Sequence, residues 1–316
     1  MSPFALSLIL IAAIAHAGWN LFSKQAAATG AVCFIWLLAV TGACLYAPVV
    51  ALTVILGHPH LTWLTWLFLA GTGVLQAGYF LFLQFGYRKG DLSLVYPIGR
   101  GTGALLAALA GIALLGERPA PVTLAGIGCI IAGIVAIGIP ATQRDIAARP
   151  AISEHGTVQT ASAAVAVQVP AIARPRAVTA VVLALCTGAF IGGYTVWDKY
   201  AVATLRTPPI LQGYAAFPFM VIAFAPLVAR DASRMRQVWR DYRAQVVAAA
   251  VLAPLAYVLV LVALRFSPVS SIAPVREVSI LFGVLLGRRL LGEGDMARKL
   301  IAAAAIVVGI IAVAVG

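Results

Sequence analysis

The sequence predicts an all-α integral membrane protein of ten transmembrane helices, arranged as two five-helix repeats of inverted topology. Three observations carry this. Of 316 residues, 62% are apolar and only 10% are charged, against about a quarter charged in an ordinary soluble domain. The mean hydropathy is +1.01. Side chains this apolar cannot all be hidden in one water-soluble core, so the solvent must be lipid. Second, the apolar residues gather into ten runs, each long enough to span a bilayer. Third, a set of polar landmarks recurs at matched places in the two halves of the chain.

The spans follow from bilayer thickness, because a crossing helix needs about 20 mostly apolar residues. Such runs lie at about 3–22, 31–56, 62–86, 92–115, 121–139, 177–198, 209–229, 245–266, 269–287 and 298–315. Backbone groups in hydrocarbon must pair within their own segment, and strand periodicity is absent, so each run is expected to be an α-helix. The first run carries a small-residue site, Ala15-His16-Ala17, but no positive charge precedes it. It is therefore expected to stay as a span and not to be cleaved as a signal peptide. Residues 140–176 are rich in Ala, Val, Gln and Pro and show no convincing period. They are expected to link a first unit (1–139) to a second (177–316). Between spans seven and eight, 230–244 places Arg236, Arg240 and Arg243 on one helical face, a pattern suited to a helix lying on the membrane surface.

The net charge of +12 does not point to nucleic acid, since the basic residues lie in short connections between apolar runs. Sorted by alternate sides of the membrane, sixteen lysines and arginines fall on one side and four on the other, with Arg100 and Arg276 inside spans. Basic connections stay cytoplasmic, which puts the linker inside and both termini outside. Four cysteines lie in apolar runs with no ligand spacing and are expected to behave as small buried hydrophobes. His58 and His60 flank Pro59 in a short loop, and no metal site or cofactor is expected. Trp63 and Trp66 suit an interfacial belt. Small residues four apart, Gly128/Ala132, Gly283/Gly287 and Ala305/Gly309, suit close helix contact within a monomer or between the subunits of a homodimer.

The repeat is specific in its polar positions. Residues 92–118 and 269–294 share Ser93/Ser270, Pro97/Pro274, Arg100/Arg276 and Gly116-Glu117/Gly292-Glu293, and the Arg-to-Glu interval is 17 in both. Gly18-Trp19-Asn20 and Lys24 match Gly193-Tyr194-Thr195 and Lys199 at equal spacing. Five spans per unit is odd, so the second copy enters the membrane from the opposite side. Inverted repeats of this kind build many secondary transporters, with substrate held near the midplane between the halves.

The motifs HAGWNLFSK (16–24), YPIGRG (96–101), GER (116–118), GGYTVWDKYAV (192–202), PVREVS (274–279) and GE (292–293) resemble the drug/metabolite transporter superfamily. The resemblance is to its ten-helix members with two EamA-type repeats, and it covers nearly the whole chain except the linker. It implies a metabolite or drug exporter or permease, with a central cavity lined by helices 1, 3, 4, 6, 8 and 9 and with helices 5 and 10 as outer supports. Members of the family are commonly drawn with both termini in the cytoplasm, opposite to the charge count.

Several residues are candidates for the chemistry. A charge at the bilayer centre costs about 2.5–3.5 kcal/mol even on the lenient insertion scale. Arg100, Arg276 and Glu277 must therefore face a wet cavity or each other, either binding an anionic group or locking helix 4 to helix 9. Pro97 and Pro274 are hinge candidates, with a static kink as the alternative. Glu277 and Asp198 are the candidates for proton coupling. For Asp198 the alternative is a helix-end pair with Lys199 at headgroup level. Trp19, Asn20, Gln76, Tyr79, Tyr96 and Tyr194 form a polar and aromatic set that would line a substrate site or serve as interhelical glue. His16 is expected to be a packed helix residue. Glu117 and Glu293 are expected to serve the positive ends of the helices that follow them.

These readings give a secondary transporter in the cell's inner membrane, moving a small-molecule substrate by alternating access, with protons as the candidate coupling ion. Three rivals were weighed. A lipid-headgroup flippase needs a laterally open groove. A membrane-embedded enzyme needs a nucleophile, an acid–base pair or a metal cluster. An accessory subunit needs no matched pair of buried arginines. No G-x-x-x-x-G-K-S/T, H-E-x-x-H or G-x-S-x-G motif is present, so no catalytic residue is assigned.

Overall fold

A computed structural model describes residues 2–89, 92–138, 173–279 and 296–315, and among these every regular element is a helix. In chain order they are α1 (Pro3–Gly57), α2 (Trp63–Lys89), α3 (Leu92–Leu115), α4 (Pro121–Gly138), α5 (Ala173–Lys199), α6 (Pro209–Tyr214), α7 (Ala216–Ala229), α8 (Ala232–Phe266), α9 (Val269–Arg276) and α10 (Met296–Val315). Seven described helical stretches are long and apolar enough to cross a membrane, and Pro121–Gly133 and Ala304–Val313 are shorter apolar helices.

The expected spans map onto these helices with local differences. α1 holds two spans, Pro3–Ser23 and Thr29–Gly57, because the chain leaves helical geometry at Gly30. The seventh span is divided between α6 and α7 by a turn at Ala215. The surface helix expected at 230–244 is continuous with the eighth span. Asp231 caps it by accepting from the Arg234 amide at 3.1 Å, and a kink at Tyr242 (φ −130°, ψ 21°) turns it into the span. Arg236, Arg240 and Arg243 stand exposed while Val238 is buried. The ninth span was expected to be helical through 287, but α9 stops at Arg276 and the chain turns at Glu277 and Val278. There the amides of Glu277 and Val278 bond back only three residues, to Pro274 and Val275. Residues 280–295 lie outside the described residues, and so does the linker apart from its last residues, which open α5.

Close contacts at glycines fix the helix directions. A Cβ on Gly71 would meet Trp197, and one on Gly78 would meet Phe190. Positions thus rise along α2 as they fall along α5, so the two are antiparallel. Gly99 meets Ala184 and Thr187, Gly103 meets Ile191, and Gly192 meets Leu106, so α3 and α5 run parallel. A span that is parallel to the fourth and antiparallel to the third runs opposite to the first. The second repeat is therefore inverted. Glycines at these places let backbones approach closely, which is how helices associate in lipid, where burying apolar surface gains nothing.

In the main packing α1 lies on α8, α2 and α3 both lie on α5, and α4 lies on α10, with a smaller contact between α3 and α9. In the α4–α10 pair a Cβ on Gly126 would lie 2.7 Å from the Gly309 carbonyl. The expected small-residue contact at Gly309 is therefore present. Gly128 and Ala132 instead stand exposed, and nothing lies within 4 Å of a Cβ on Gly128. The faces turned away from the bundle carry large exposed apolar side chains such as Ile14, Leu56, Trp63, Leu114 and Ile222, as a lipid-facing surface must.

Candidate functional site

Between the halves lies a small, partly open cavity of about 60 Å³. Its walls come from both spans of α1, from α2 and from α5 to α8. Trp19, Tyr79, Phe80, Tyr194, Phe217 and Tyr257 supply aromatic rings, and His16 and Gln76 supply polar groups. Trp19 donates its indole N–H to His16 Nδ1 at 3.0 Å. An imidazole that accepts at Nδ1 carries its proton on Nε2. That Nε2 is buried and has no partner among the described residues, and the same is true of Gln76 Nε2.

Behind the Tyr194 ring sits a buried charge cluster. Arg100 Nε donates to Glu277 Oε2 at 2.6 Å, and Arg276 Nε donates to Glu277 Oε1 at 3.3 Å. All three side chains are at most 5% exposed. One carboxylate between two guanidiniums leaves a net charge of +1 among these residues. Arg276 Cζ lies 6.0 Å from the centroid of the Tyr194 ring, and Arg276 Nη2 is buried without a hydrogen-bond partner among the described residues. Tyr194 thus has the charge cluster on one side and the cavity on the other. α3 brings Arg100 to this place and the broken end of α9 brings Arg276 and Glu277.

A second polar knot lies one helical turn from the cavity wall. Asp198 follows Tyr194 by four residues on α5, and Thr72 precedes Gln76 by four on α2, an offset of about 5.4 Å along each axis. Asp198 is fully buried. Its Oδ1 accepts from Thr72 Oγ1 and, at 2.9 Å, from Gln212 Nε2, while its Oδ2 accepts from the Tyr257 hydroxyl. Gln212 also bonds Thr72 Oγ1 at 2.6 Å. Tyr257 therefore belongs to both places: its ring lines the cavity and its hydroxyl holds the acid.

The same end of the bundle is tied down once more. Lys199 Nζ donates to the carbonyls of Leu264 (2.7 Å) and Ser267 (2.9 Å), closing the C-terminal end of α8. Glu117 Oε1 and Oε2 accept from the amides of Val269 (2.7 Å) and Ser270 (2.8 Å), capping α9. A cation on free carbonyls and an anion on free amides are the pairings that helix ends favour. Gly116, at φ +68°, makes the Glu117 contact possible. It ends α3 in a left-handed turn, and the Glu117 amide bonds back to the Gly111 carbonyl at 3.2 Å.

A model of the EamA-like transporter family matches the sequence twice, over residues 3–139 and 178–315. The chain belongs to the EamA-like transporter family. It is thus a multi-pass membrane transporter of the drug/metabolite type and not an enzyme, working in a lipid bilayer on a small-molecule substrate. A solved crystal structure is similar over 99% of this chain and 97% of its own, with 20% identity and a TM-score of 0.70, a likeness that establishes the fold alone. No curated protein matches the sequence.

In this EamA-like transporter the residues expected from sequence separate into groups. Trp19, Gln76, Tyr79 and Tyr194 line the cavity. Of the two alternatives for Arg100, Arg276 and Glu277, an anion site or a lock between helices 4 and 9, the ion pairs match the second; the three lie behind Tyr194 and outside the wall. Asn20 does not face the cavity; its side-chain amide donates to the His16 carbonyl at 2.8 Å, which makes it local helix glue. The side chains of Tyr96 and Pro97 lie outside the described residues, and the α3 backbone passes through both as helix. Pro274 lies in the last turn of α9, just before the break. Asp198 is not a helix-end partner of Lys199, because α5 continues past both in a π-helical turn, Tyr200–Thr204. Glu117 caps α9 of the other repeat and not α4, and Glu293 is outside the described residues. Helices 2 and 7 line the cavity through Leu38 and Phe217, whereas the described parts of helices 4 and 9 hold the charges behind it.

Sequence reasoning missed Tyr257 and Gln212, and it set His16 aside as packing. Tyr257 carries no motif signal. His16 offered one, a polar ring three residues before Trp19 in an otherwise apolar run.

Proposed function

We propose that the protein is a secondary transporter which exports a small metabolite, an amino acid or a drug-like compound across the inner membrane. Alternating access proceeds by rocking of the two repeats around the cavity. The observation that carries this reading is the cavity itself, walled by side chains of both repeats and bounded at one end by the Asp198 knot. Trp19, Gln76, Tyr79 and Tyr194 bind substrate, and Arg100, Arg276 and Glu277 set the electrostatic potential beside it. Pro97 and Pro274 remain the hinge candidates. The break at Glu277, immediately after the last turn of α9 and three residues past Pro274, supports the second of them.

Protons drive the transport, and of the two candidate carboxylates Asp198 suits the task better. Glu277 is held between two guanidiniums, so protonating it removes the anion that both face. Asp198 is held by neutral donors alone, and among the described residues no lysine or arginine forms an ion pair with it. Its proton state is linked to the cavity through Tyr257.

The test is purified protein in liposomes, screened against an amino-acid and metabolite panel with and without a pH gradient. A substrate whose uptake is accelerated by the gradient, and whose addition changes the signal of a trapped pH dye, is the expected result. Uptake indifferent to the gradient removes the coupling. No uptake of any compound, combined with flip of labelled lipid, favours the flippase reading.

A further inference from the structure

We infer that the cavity is a site for organic monoanions, molecules with a flat apolar body and one carboxylate or similar acceptor-rich group, and that it disfavours cations. This deepens the transporter reading and rests on it. Three observations point the same way. His16 Nε2, fixed as a donor by the Trp19 bond to Nδ1, and Gln76 Nε2 both end in the buried wall without partners. Unsatisfied buried donors are costly, and an acceptor on the ligand would satisfy them. Among the described residues no aspartate or glutamate lines the cavity, so an ammonium group would enter without a counter-charge from them. Behind Tyr194, Arg276 places a positive charge 6.0 Å from the ring centroid, with its Nη2 unpartnered among the described residues.

Aromatic walls alone would argue for a cation, since ring faces attract positive charge. Here a cation already occupies that role, because Arg276 lies over the Tyr194 ring. A second positive charge on the cavity side would face the first across one ring. The remaining rings, Trp19, Tyr79, Phe80, Phe217 and Tyr257, then supply flat apolar contact for the ligand body. Asp198, one helical turn beyond Tyr194 on α5, is not in the lining and accepts a hydrogen bond from the Tyr257 hydroxyl.

Calorimetric titration of the purified full-length protein tests this with three probes of one shape: phenylacetate, its neutral isostere phenylacetamide, and phenethylamine. Phenylacetate is expected to bind at least about ten-fold tighter than phenylacetamide, with phenethylamine weakest. His16→Phe and Gln76→Leu should each weaken phenylacetate about ten-fold and leave phenethylamine unchanged. Tighter binding of the amine overturns the inference, as does phenylacetate affinity that both variants leave intact. The three probes are compared on unaltered protein, so misfolding of a variant does not remove the test. If the liposome screen finds a cation carried through the cavity, the transporter reading stands and this inference falls. If no compound is carried yet phenylacetate binds as described, the site stands and the transport reading falls.

Discussion

Two buried polar centres share this bundle and satisfy charge in opposite ways. The Arg100–Glu277–Arg276 cluster answers charge with charge, with Glu277 fully buried between two guanidiniums. The Asp198 knot answers one charge with three neutral donors, Thr72, Gln212 and Tyr257. Arginine cannot lose its proton in a protein. The first centre therefore holds two guanidiniums that stay charged whatever the pH, and protonating Glu277 removes the anion that both of them face. The second can change charge and leave no cation behind. The proton-coupled transport proposed above would use both properties: a constant field beside the substrate and a group that can take up and release a proton.

The largest effect is expected where a fixed charge loses its partner. Removing one member of a buried ion pair costs about 3–5 kcal/mol, because the other is left uncompensated. Glu277→Gln leaves two guanidiniums without their shared anion, so a large drop in the melting temperature of the detergent-purified protein should accompany loss of transport. A melting curve within a degree or two of the parent's would mean that water or another group neutralises the arginines, and the contrast between the centres would collapse.

Much of this contrast was legible in the sequence and some of it was not. The matched positions of Arg100 and Arg276, at equal distance from Glu117 and Glu293, announced a shared site because a charge inside an apolar run has so few permitted neighbours. The ten spans and their inversion were readable for the same reason: lipid allows few backbone solutions. Side-chain direction was not readable. Asn20 and Trp19 are adjacent in one motif, yet one bonds its own helix and the other lines the cavity. Asp198 looked like a helix end because the sixth apolar run stops at it and Lys199 follows. The π-helical turn that extends the helix depends on contacts with α6 and α8, and no local pattern encodes those. Glu117 lay at the start of a span in sequence, but its partners are 152 and 153 residues away.

A smaller effect is expected at Tyr257. A hydrogen bond to a charged group contributes about 1.5–3 kcal/mol, and Tyr257→Phe removes one of the three donors on Asp198 while keeping the ring in the cavity wall. The variant should be less stable by an amount in that range, read as a lower melting temperature. It should also bind phenylacetate as the parent does, because the hydroxyl faces the acid and not the ligand. A change in ligand affinity without a change in stability would reverse that assignment.

Glu117 offers a third arrangement, a carboxylate satisfied by backbone amides, and it separates a structural acid from a working one. Glu117→Gln keeps one acceptor for the Val269 and Ser270 amides and loses the other. The expected cost is about 1 kcal/mol, the usual size of a helix cap, with the response to a pH gradient preserved. If that response vanishes, Glu117 belongs with the coupling groups and the clamp on α9 is more than a tie.

The smallest change in stability is expected at Asp198 itself. Asp198→Asn keeps the shape and retains an oxygen to accept from Thr72 or Tyr257. It loses the strength of charge-assisted bonds but also removes a buried charge that no cation balances, and these two changes oppose each other. A net shift within about 1 kcal/mol follows if the two are of similar size. Function should divide sharply. In proteoliposomes the variant should still exchange labelled for unlabelled substrate, because the cavity and the charges behind Tyr194 are untouched. It should lose acceleration by a pH gradient, because no proton can be taken up at position 198. Exchange and gradient response that fall together would assign Asp198 to the architecture of the knot and return the coupling role to Glu277. Gradient response that survives would remove Asp198 from coupling altogether.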